Sequence, residues 1–333
     1  MKKQTLLRLI TFLTLLPFFN LMVLAQKDSL IKIAPGLYEI TGLGGNVTVK
    51  ETTQGMIIVD AGTSLAAGNR ILEIVAGISK KPITHVIITH YHYDHTGGLP
   101  AFPWGALIVA HKNVALGLKN AEAKNKKDIE ETIPQRIKVL NNEISALLPE
   151  NKTQRTRIDS SINAETAKLE NLKKMKFVYP QKEFDTEMTI VSGIDTINLY
   201  YQGNAHTNGD TWIHFKNENV VTIGDLLFTN SFPFIDLEIG ANTENWAKIV
   251  NQLANGKYKN YISGHGRLAA AEDLKRFAAY LTDLRKTVSI EISKGKSVEE
   301  AKKIIDIEAY RDFGFRFFKD QNIEAVYYEL TKK

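Results

Sequence analysis

Along this chain, short continuous apolar runs end in polar loops, and longer stretches repeat their apolar residues at steps of three and four. Met56 to Val59 is apolar throughout and stops at Asp60; Val86 to Ile88 is apolar throughout and stops at THYHYDHTGG, residues 89–98. Such runs predict strands buried on both faces. Between them Ser64 is placed to cap a helix running to about Ile78, with Leu65, Ile71, Leu72 and Val75 on one side. Strand, helix, strand at this spacing is a βαβ-like unit. Upstream, Gly36 to Lys50 reads as two short strands around the turn Gly42–Gly45. Downstream, Thr196 to Tyr201, Thr211 to Phe215 and Val220 to Ile223 read as strands ending in polar loops, and a short strand from Lys259 to Ile262 feeds Gly264-His265-Gly266. Amphipathic helices follow at roughly 271–294, 298–306 and 320–331. Two groups of strands flanked by helices predict an α/β fold of two sheets packed face to face and covered outside.

A segment of different character, about 113–176, interrupts the strands. Ile137, Leu140, Ile144 and Leu147 step by three and four; Ile158, Ile162, Leu169 and Leu172 keep the rhythm, with Thr166 filling the middle step. Pro149-Glu150-Asn151 separates the two series. This predicts an inserted antiparallel helical hairpin with one apolar seam and charged outer faces, read as a solvated insertion rather than a lid or a dimerisation arm.

Composition alters the picture at the N-terminus. Lys2, Lys3 and Arg8 precede an apolar stretch from Leu9 to Leu24, broken by Pro17 and Asn20, and Val23 and Ala25 sit where a signal peptidase takes small residues. Residues 1–25 are therefore read as a signal peptide cleaved before Gln26, not as an anchor, although the run approaches the roughly 17–20 residues of a minimal span. The expectation is an exported protein, periplasmic or secreted, with residues 26–333 as the working domain and no membrane attachment after cleavage. Losing the leader removes three positive charges, so the net charge falls from +5 to +2, with 39 basic against 37 acidic residues. That near balance gives no electrostatic case for a nucleic-acid partner; a small-molecule substrate is expected instead. With no Cys in the chain, disulfides and thiolate metal sites are excluded.

Candidate chemistry concentrates in the loop after Ile88. His90, His92 and His95, with Asp94 among them, crowd into six residues. Imidazoles packed so closely repel one another when protonated and lose hydration when neutral, a conflict that a divalent cation resolves. Three later residues add donors at strand ends: His206 in GNAHTNGD, Asp225 in IGDLLF and His265 in SGHG. Together they make seven, which suits two open sites better than one closed structural site. His85, His111 and His214 lie within or beside strands and are read as structural. Tyr91 and Tyr93 either line the mouth or pack beneath it; Asn204, Thr207 and Asp210 either support His206 or shape its turn.

HYHYDH at 90–95 resembles the HxHxDH signature of the metallo-β-lactamase superfamily, with the His206, Asp225 and His265 loops in the expected order. The resemblance covers roughly residues 30–112 and 177–270. It implies a four-layer αββα sandwich with two zinc ions at one edge of the paired sheets. His90, His92 and His206 would hold one ion, Asp94, His95 and His265 the other, and Asp225 would bridge them. It further implies a hydrolase cleaving an activated acyl bond (a β-lactam, lactone, thioester or related ester) with a hydroxide shared by the metals, Asp94 or Asp225 orienting it and passing its proton on. The sequence departs from true class B β-lactamases, which carry Cys or Ser where Asp225 stands; Asp there is shared with glyoxalase II and acyl-homoserine lactonases. The basic residues by which glyoxalase II grips glutathione are not identifiable. The block GDLLFTNSFPFID is similar to exported β-lactamase-like hydrolases. Two alternatives stand beside this reading: a persulfide dioxygenase with one Fe2+ on His90, His206 and Asp225, and a non-catalytic metal-binding protein.

Overall fold

Backbone hydrogen bonding sorts the strands into two sheets. The computed structural model describes residues 27–331, and the leader assigned to residues 1–25 lies outside them. The first sheet holds β1 (Ser29–Ala34), β2 (Leu37–Thr41), β3 (Val47–Glu51), β4 (Met56–Val59), β5 (Ile83–Ile88), β6 (Leu107–His111) and β7 (Lys182–Phe184) in that spatial order. Neighbours are antiparallel as far as β4 and parallel from β4 to β7. The second sheet takes β8 (Glu187–Ser192), β9 (Asp195–Tyr201), β10 (Thr211–Phe215), β11 (Val220–Phe228) and β12 (Asn260–His265) in the order β12-β11-β10-β9-β8, antiparallel except between β11 and β12.

The sheets share one core. Leu37, Ile57, Val59, Ile87 and Val109 from the first meet Ile197, Leu199, Ile213, Phe215, Val220 and Ile262 from the second. Strand periodicity sends alternate residues to the outer faces, and these are buried as well: Ile58, Val86 and Ile88 show no exposure. In the β4–β5 crossover, α1 (Leu65–Ile78) buries Ala67, Ile71 and Val75, and Ser64 Oγ accepts from Ala67 N at 3.2 Å to cap it. Over β11, whose nine residues are all buried, lie α6 (Thr243–Ala254) and α7 (Ala271–Ser293). Trp246 of α6 donates its indole N–H to the Leu226 carbonyl at 2.9 Å. Each such fully buried large apolar side chain stabilises by roughly 1.5–3 kcal/mol. The result is the four-layer αββα arrangement of a mixed α/β protein. After α7 come α8 (Val298–Ile304) and α9 (Lys319–Thr331). No helix among the described residues is long and apolar enough to cross a membrane.

Two local expectations need correcting. The strand expected at Val220–Ile223 continues to Phe228, so Asp225 sits inside β11 rather than in a loop behind it. Gly224, at φ +50°, lets the strand bulge while remaining paired, and its pairing with β12 shifts register on both sides of it. In the inserted segment, α3 (Lys112–Lys127) passes through a π-helical turn at Asp128–Thr132 into α4 (Ile133–Ser145), and α5 (Lys152–Lys174) returns antiparallel. Residues Leu118–Phe177 form a compact unit of their own. Within it Arg136 meets Glu165 at 3.5 Å and Arg155 donates to the Leu147 carbonyl at 3.2 Å, pairings that fix the antiparallel register. Thr166 is exposed and bonds back to the Ile162 carbonyl, while Glu165 takes the seam position. Steps of 158, 162, 165, 169 and 172 continue the heptad through a charged residue because Arg136 neutralises it.

Candidate metal centre

Strand ends deliver the donors to one place. β5 ends at Ile88, and the chain turns through His90 into α2 (Tyr93–Thr96), a single turn carrying Asp94 and His95. The turn is pinned to its neighbours: Gly45 N donates to the Asp94 carbonyl at 3.0 Å and Ala61 N to the His95 carbonyl at 2.8 Å. The second sheet is tied to the same corner, since Thr211 N donates to the Thr89 carbonyl at 2.8 Å and Asn46 N to the Gly264 carbonyl at 2.7 Å. Gly264 is required by close approach: a Cβ there would lie 1.9 Å from Asp225 Oδ1.

All seven sequence-predicted donors converge. His90, His92, His206 and Asp225 form one group, and Asp94, His95 and His265 form another, the donor atoms of each lying within 4.8 Å of one another. In the first group His92 Nδ1 faces both His90 Nε2 and His206 Nε2 at 3.0 Å. Asp225 Oδ2 lies 3.7 Å from His90 Nε2 and 3.4 Å from His206 Nε2. In the second, His265 Nε2 is 3.1 Å from Asp94 Oδ2 and 3.4 Å from Asp225 Oδ2, while His95 Nε2 is 3.2 Å from Asp225 Oδ1 and 3.6 Å from Asp94 Oδ2. Asp225 therefore faces both groups. Donors about 2.0–2.1 Å from a tetrahedral ion stand ~3.3 Å from each other, in the middle of these separations.

A residue outside the sequence-predicted set fixes how the rings point. Asp60, buried at the end of β4 with φ +65°, accepts from Thr89 N through Oδ1 at 2.8 Å. Its Oδ2 accepts from the Thr89 hydroxyl at 2.8 Å and from His95 Nδ1 at 2.7 Å. Because the Thr89 hydrogen goes to Asp60, the 3.1 Å contact between Thr89 Oγ1 and His90 Nδ1 has the ring nitrogen as donor. His90 Nε2 then carries a lone pair aimed at His92 Nδ1. His92 Nδ1 can meet that lone pair with its hydrogen in one tautomer; in the other, both nitrogens are ligands for a shared cation. The donor set fits divalent cations, with Asp60 orienting two of the rings from behind.

Electrostatics divides the two groups. Burial, followed by the charge of His95, holds His90 well below the ordinary imidazole range; burial and His206 bring His92 down to about 3. Those two rings are neutral and available as ligands. Burial also opposes charge on His95 and His265, but Asp225 and Asp94 outweigh it, raising His95 well above its ordinary value and His265 to about 9. Burial would raise both carboxyls; the neighbouring imidazoles win, taking Asp94 to about 2 and Asp225 well below the usual range. Among the described residues the ion-pair partners of Asp94 and Asp225 are histidines only.

The remaining sequence candidates find other surroundings. Thr207 N and Oγ1 donate to Asp210 at 2.7 and 2.8 Å, closing the turn that carries His206, and Asn204 Oδ1 accepts from the Tyr201 hydroxyl. Tyr91 packs on Gly117. His111 stacks on Tyr201 with ring centroids 3.8 Å apart, His214 contacts Asn219, and His85 contacts Thr84. Besides Asp60 and Thr89, three phenylalanines reach ligand rings: Phe228, buried in β11, stacks on His265 at 5.2 Å and lies 5.5 Å from His206, while the partly buried Phe234 lies beside His92 at 6.1 Å and Phe315 beside His265 at 6.4 Å. Asp60 ends a buried run as other polar residues do, and Phe228 and Phe234 lie in the block GDLLFTNSFPFID without any spacing that marks them as neighbours of the ligands.

Residues 40–265, more than half the chain, match the family model described as "Metallo-beta-lactamase superfamily". Relatives share shorter stretches. Metallo-beta-lactamase domain-containing protein 1 of Mus musculus is 40% identical over 70 residues, 20% of this chain and 26% of that protein. A linear primary-alkylsulfatase of Pseudomonas sp. is 42% identical over 52 residues, 16% of this chain and 10% of that protein. Atrochrysone carboxyl ACP thioesterase of Aspergillus fumigatus is 28% identical over 90 residues, 24% of this chain and 21% of that protein. The chain thus spans about a quarter or less of the curated relatives it matches. Among solved structures, a metallo-beta-lactamase from Pontibacter korlensis superposes with TM-score 0.54 at 16% identity, covering 77% of this chain and 99% of that one. The stereoselective inverting sec-alkylsulfatase Pisa1 from Pseudomonas sp. superposes with TM-score 0.62 at 16% identity, covering 91% of this chain and 50% of that one. At these identities the likeness is one of fold.

Proposed function

The chain belongs to the metallo-β-lactamase superfamily, and from that premise we propose that it is a hydrolase using two divalent ions, zinc above all, to cleave an activated acyl bond. The superfamily is of hydrolase type and includes relatives named as a thioesterase and an alkylsulfatase. One observation carries the proposal: two groups of donors meet at a shared carboxylate, Asp225. His90, His92 and His206 with Asp225 would hold the first ion; Asp94, His95 and His265 with Asp225 would hold the second. When bound, such a pair supplies Lewis acidity toward a carbonyl oxygen and lowers the pKa of water from 15.7 toward about 7.

The chain's own groups then have distinct parts. Asp225, only 3% exposed, is a fixed anion between the two sites. Asp94 is the more exposed carboxylate at 13%, although its Oδ2 is buried against His265 at 3.1 Å, and it is the one we assign to orient the attacking water, take its proton and return it to the leaving atom. Asp60 keeps His90 and His95 in the tautomers that ligation requires. Export from the cytoplasm belongs to the same reading and is checked by sequencing the N-terminus of the mature protein.

The test is a panel of nitrocefin, a lactone, a thioester and an alkyl sulfate offered to protein reconstituted with zinc. Turnover of at least one acyl substrate, abolished by a chelator and restored by the metal, is expected. Fully loaded protein that leaves every acyl substrate intact, or hydrolysis indifferent to chelation, would overturn the proposal.

A further inference from the structure

Two segments far apart in sequence meet beside the donor cluster. After β11 the chain runs through Asn230 to Ile235, and after α8 it runs through Phe313 to Phe318. They pair as short extended pieces: Phe232 N donates to the Gly314 carbonyl at 3.0 Å and Gly314 N to the Asn230 carbonyl at 2.8 Å. Their side chains alternate between two surroundings. Phe232 and Phe313, 1% and 2% exposed, lie 5.4 Å apart and pack on Tyr280. Phe234 and Phe315, two residues further along each segment, are only partly buried and approach the ligand rings.

The rings form an arc. Phe234 lies 6.1 Å from His92, Phe318 lies 5.5 Å from Phe234 and 6.2 Å from Phe315, and Phe315 lies 6.4 Å from His265. The arc thus begins at a ligand of the first group and ends at a ligand of the second. Its position is enforced. Phe315 adopts φ +51° and ψ +39°, a left-handed conformation that a bulky side chain rarely takes and that costs on the order of 1–2 kcal/mol. Gly314 on one side and the Phe318 N–H to Phe315 carbonyl bond of 2.9 Å on the other hold it there. Asn322, wholly buried in α9, donates to the Pro233 carbonyl at 2.9 Å and so fixes the backbone before Phe234. Strain of this kind persists where the surrounding structure over-determines it, often at ligand sites.

Two nearby arginines have contacts of their own. Arg267, two residues after His265, is gripped by Asp273 at 2.8 and 3.0 Å. Arg316, next to Phe315, donates to the Arg311 carbonyl. The rings of Phe234 and Phe315 thus offer apolar surface beside the ligand rings of the two groups.

We infer that Phe234 and Phe315, backed by the buried Phe318, form a wall for an apolar group, alkyl or aromatic, attached to the bond that is cleaved, so that the substrate class is hydrophobic esters or thioesters. The inference takes its occupant from the hydrolase reading and narrows it. Each methylene fully removed from water is worth up to about a fourfold gain, and about twofold on a half-open wall.

The experiment compares p-nitrophenyl acetate, butyrate and octanoate on the zinc-reconstituted chain, alongside direct calorimetric binding of acetate, butanoate and octanoate. Expected is a kcat/KM for octanoate at least ~10-fold above acetate and a matching rise in carboxylate affinity. In Phe315→Gly, which removes the ring while relieving the backbone, and in Phe234→Ala, the octanoate-to-acetate ratio should fall below ~3 with bound zinc unchanged. Ester hydrolysis with no chain-length preference, or a preference that survives both variants, overturns the wall and leaves the hydrolase reading standing. Graded carboxylate binding lost in both variants, with neither these esters nor the nitrocefin, lactone and thioester of the acyl panel cleaved, supports the wall and overturns the hydrolase reading.

Discussion

Two buried clusters of charge occupy opposite ends of the same sandwich, and they solve the same problem differently. At the end where β4 begins, Lys50 reaches between the sheets to Asp195 at 3.0 Å and Glu218 at 2.8 Å, all three side chains less than 10% exposed. Beside it the Thr48 and Thr222 hydroxyls bond across the sheets at 2.7 Å. There the chain supplies its own cation, and every oxygen of interest has a partner. At the end where β4 and β5 finish, two carboxylates and five imidazoles crowd together, two ring nitrogens point at a third, and among the described residues the ion-pair partners of the carboxylates are histidines only. Burying charge is tolerated when it is paired. The Lys50 cluster is therefore complete as it stands, whereas the histidine cluster becomes complete with divalent ions.

The sharpest way to break this contrast is Asp225→Ala. Removing the shared carboxylate should lower bound metal from two ions per chain to one or fewer and cut hydrolysis by more than the ~10–100-fold that supporting residues carry. Full metal content with full turnover in that variant would contradict its bridging place. Next in size is Asp60→Asn, where an amide meets three donors with a single acceptor oxygen. Metal affinity or activity should fall about 10–100-fold while the seven donors remain intact, and a wild-type dissociation constant would show that ring orientation is set elsewhere.

At the other cluster the effects move to stability. Lys50→Met leaves Asp195 and Glu218 buried without their cation and should cost about 3–5 kcal/mol in urea unfolding, with metal content unaltered. A smaller effect belongs to Glu39, which shares a face with Leu37 inside the sandwich, pairs in register with Thr48, and has no hydrogen-bond partner for either oxygen among the described residues. Burial alone raises its carboxyl from 4.5 to about 7. A raised folded-state value means that the folded chain binds the extra proton: stability is fully present below pH ~4.5 and is lost as pH climbs, the loss complete above ~7. Glu39→Gln should therefore stabilise by roughly 2–3 kcal/mol at pH 8 and by nearly nothing at pH 4, measured on metal-loaded protein. A gain independent of pH would show that the carboxyl is not the titrating group.

The two clusters also differ in how much of them could be read from sequence. Ligands were legible because coordination chemistry demands His and Asp at fixed local spacing, and HYHYDH places four of them in six residues. Asp225 was legible as a donor but not as a strand residue, because an apolar-run reading stops at Gly224 where the real strand bulges. Lys50, Asp195 and Glu218 look like surface residues of three separate turns until the sheets close. Asp60 ends a run like many others, and only the fold brings it beneath His95. Helix α6 did carry signals, with Asn242 capping it and Trp246, Ile249, Val250 and Leu253 along one side, but its polar flanks resembled the loops around it. The Phe234–Phe315 arc depends on pairing between segments with no shared periodicity. Local donor patterns survive in sequence; long-range supports do not.

The most direct measurement is elemental analysis of the folded chain purified without chelators and again after dialysis against zinc. The account predicts two divalent ions per chain, displaced together with hydrolytic activity by a strong chelator. A folded chain that holds no metal in either preparation, with circular dichroism unchanged by added zinc, would contradict it.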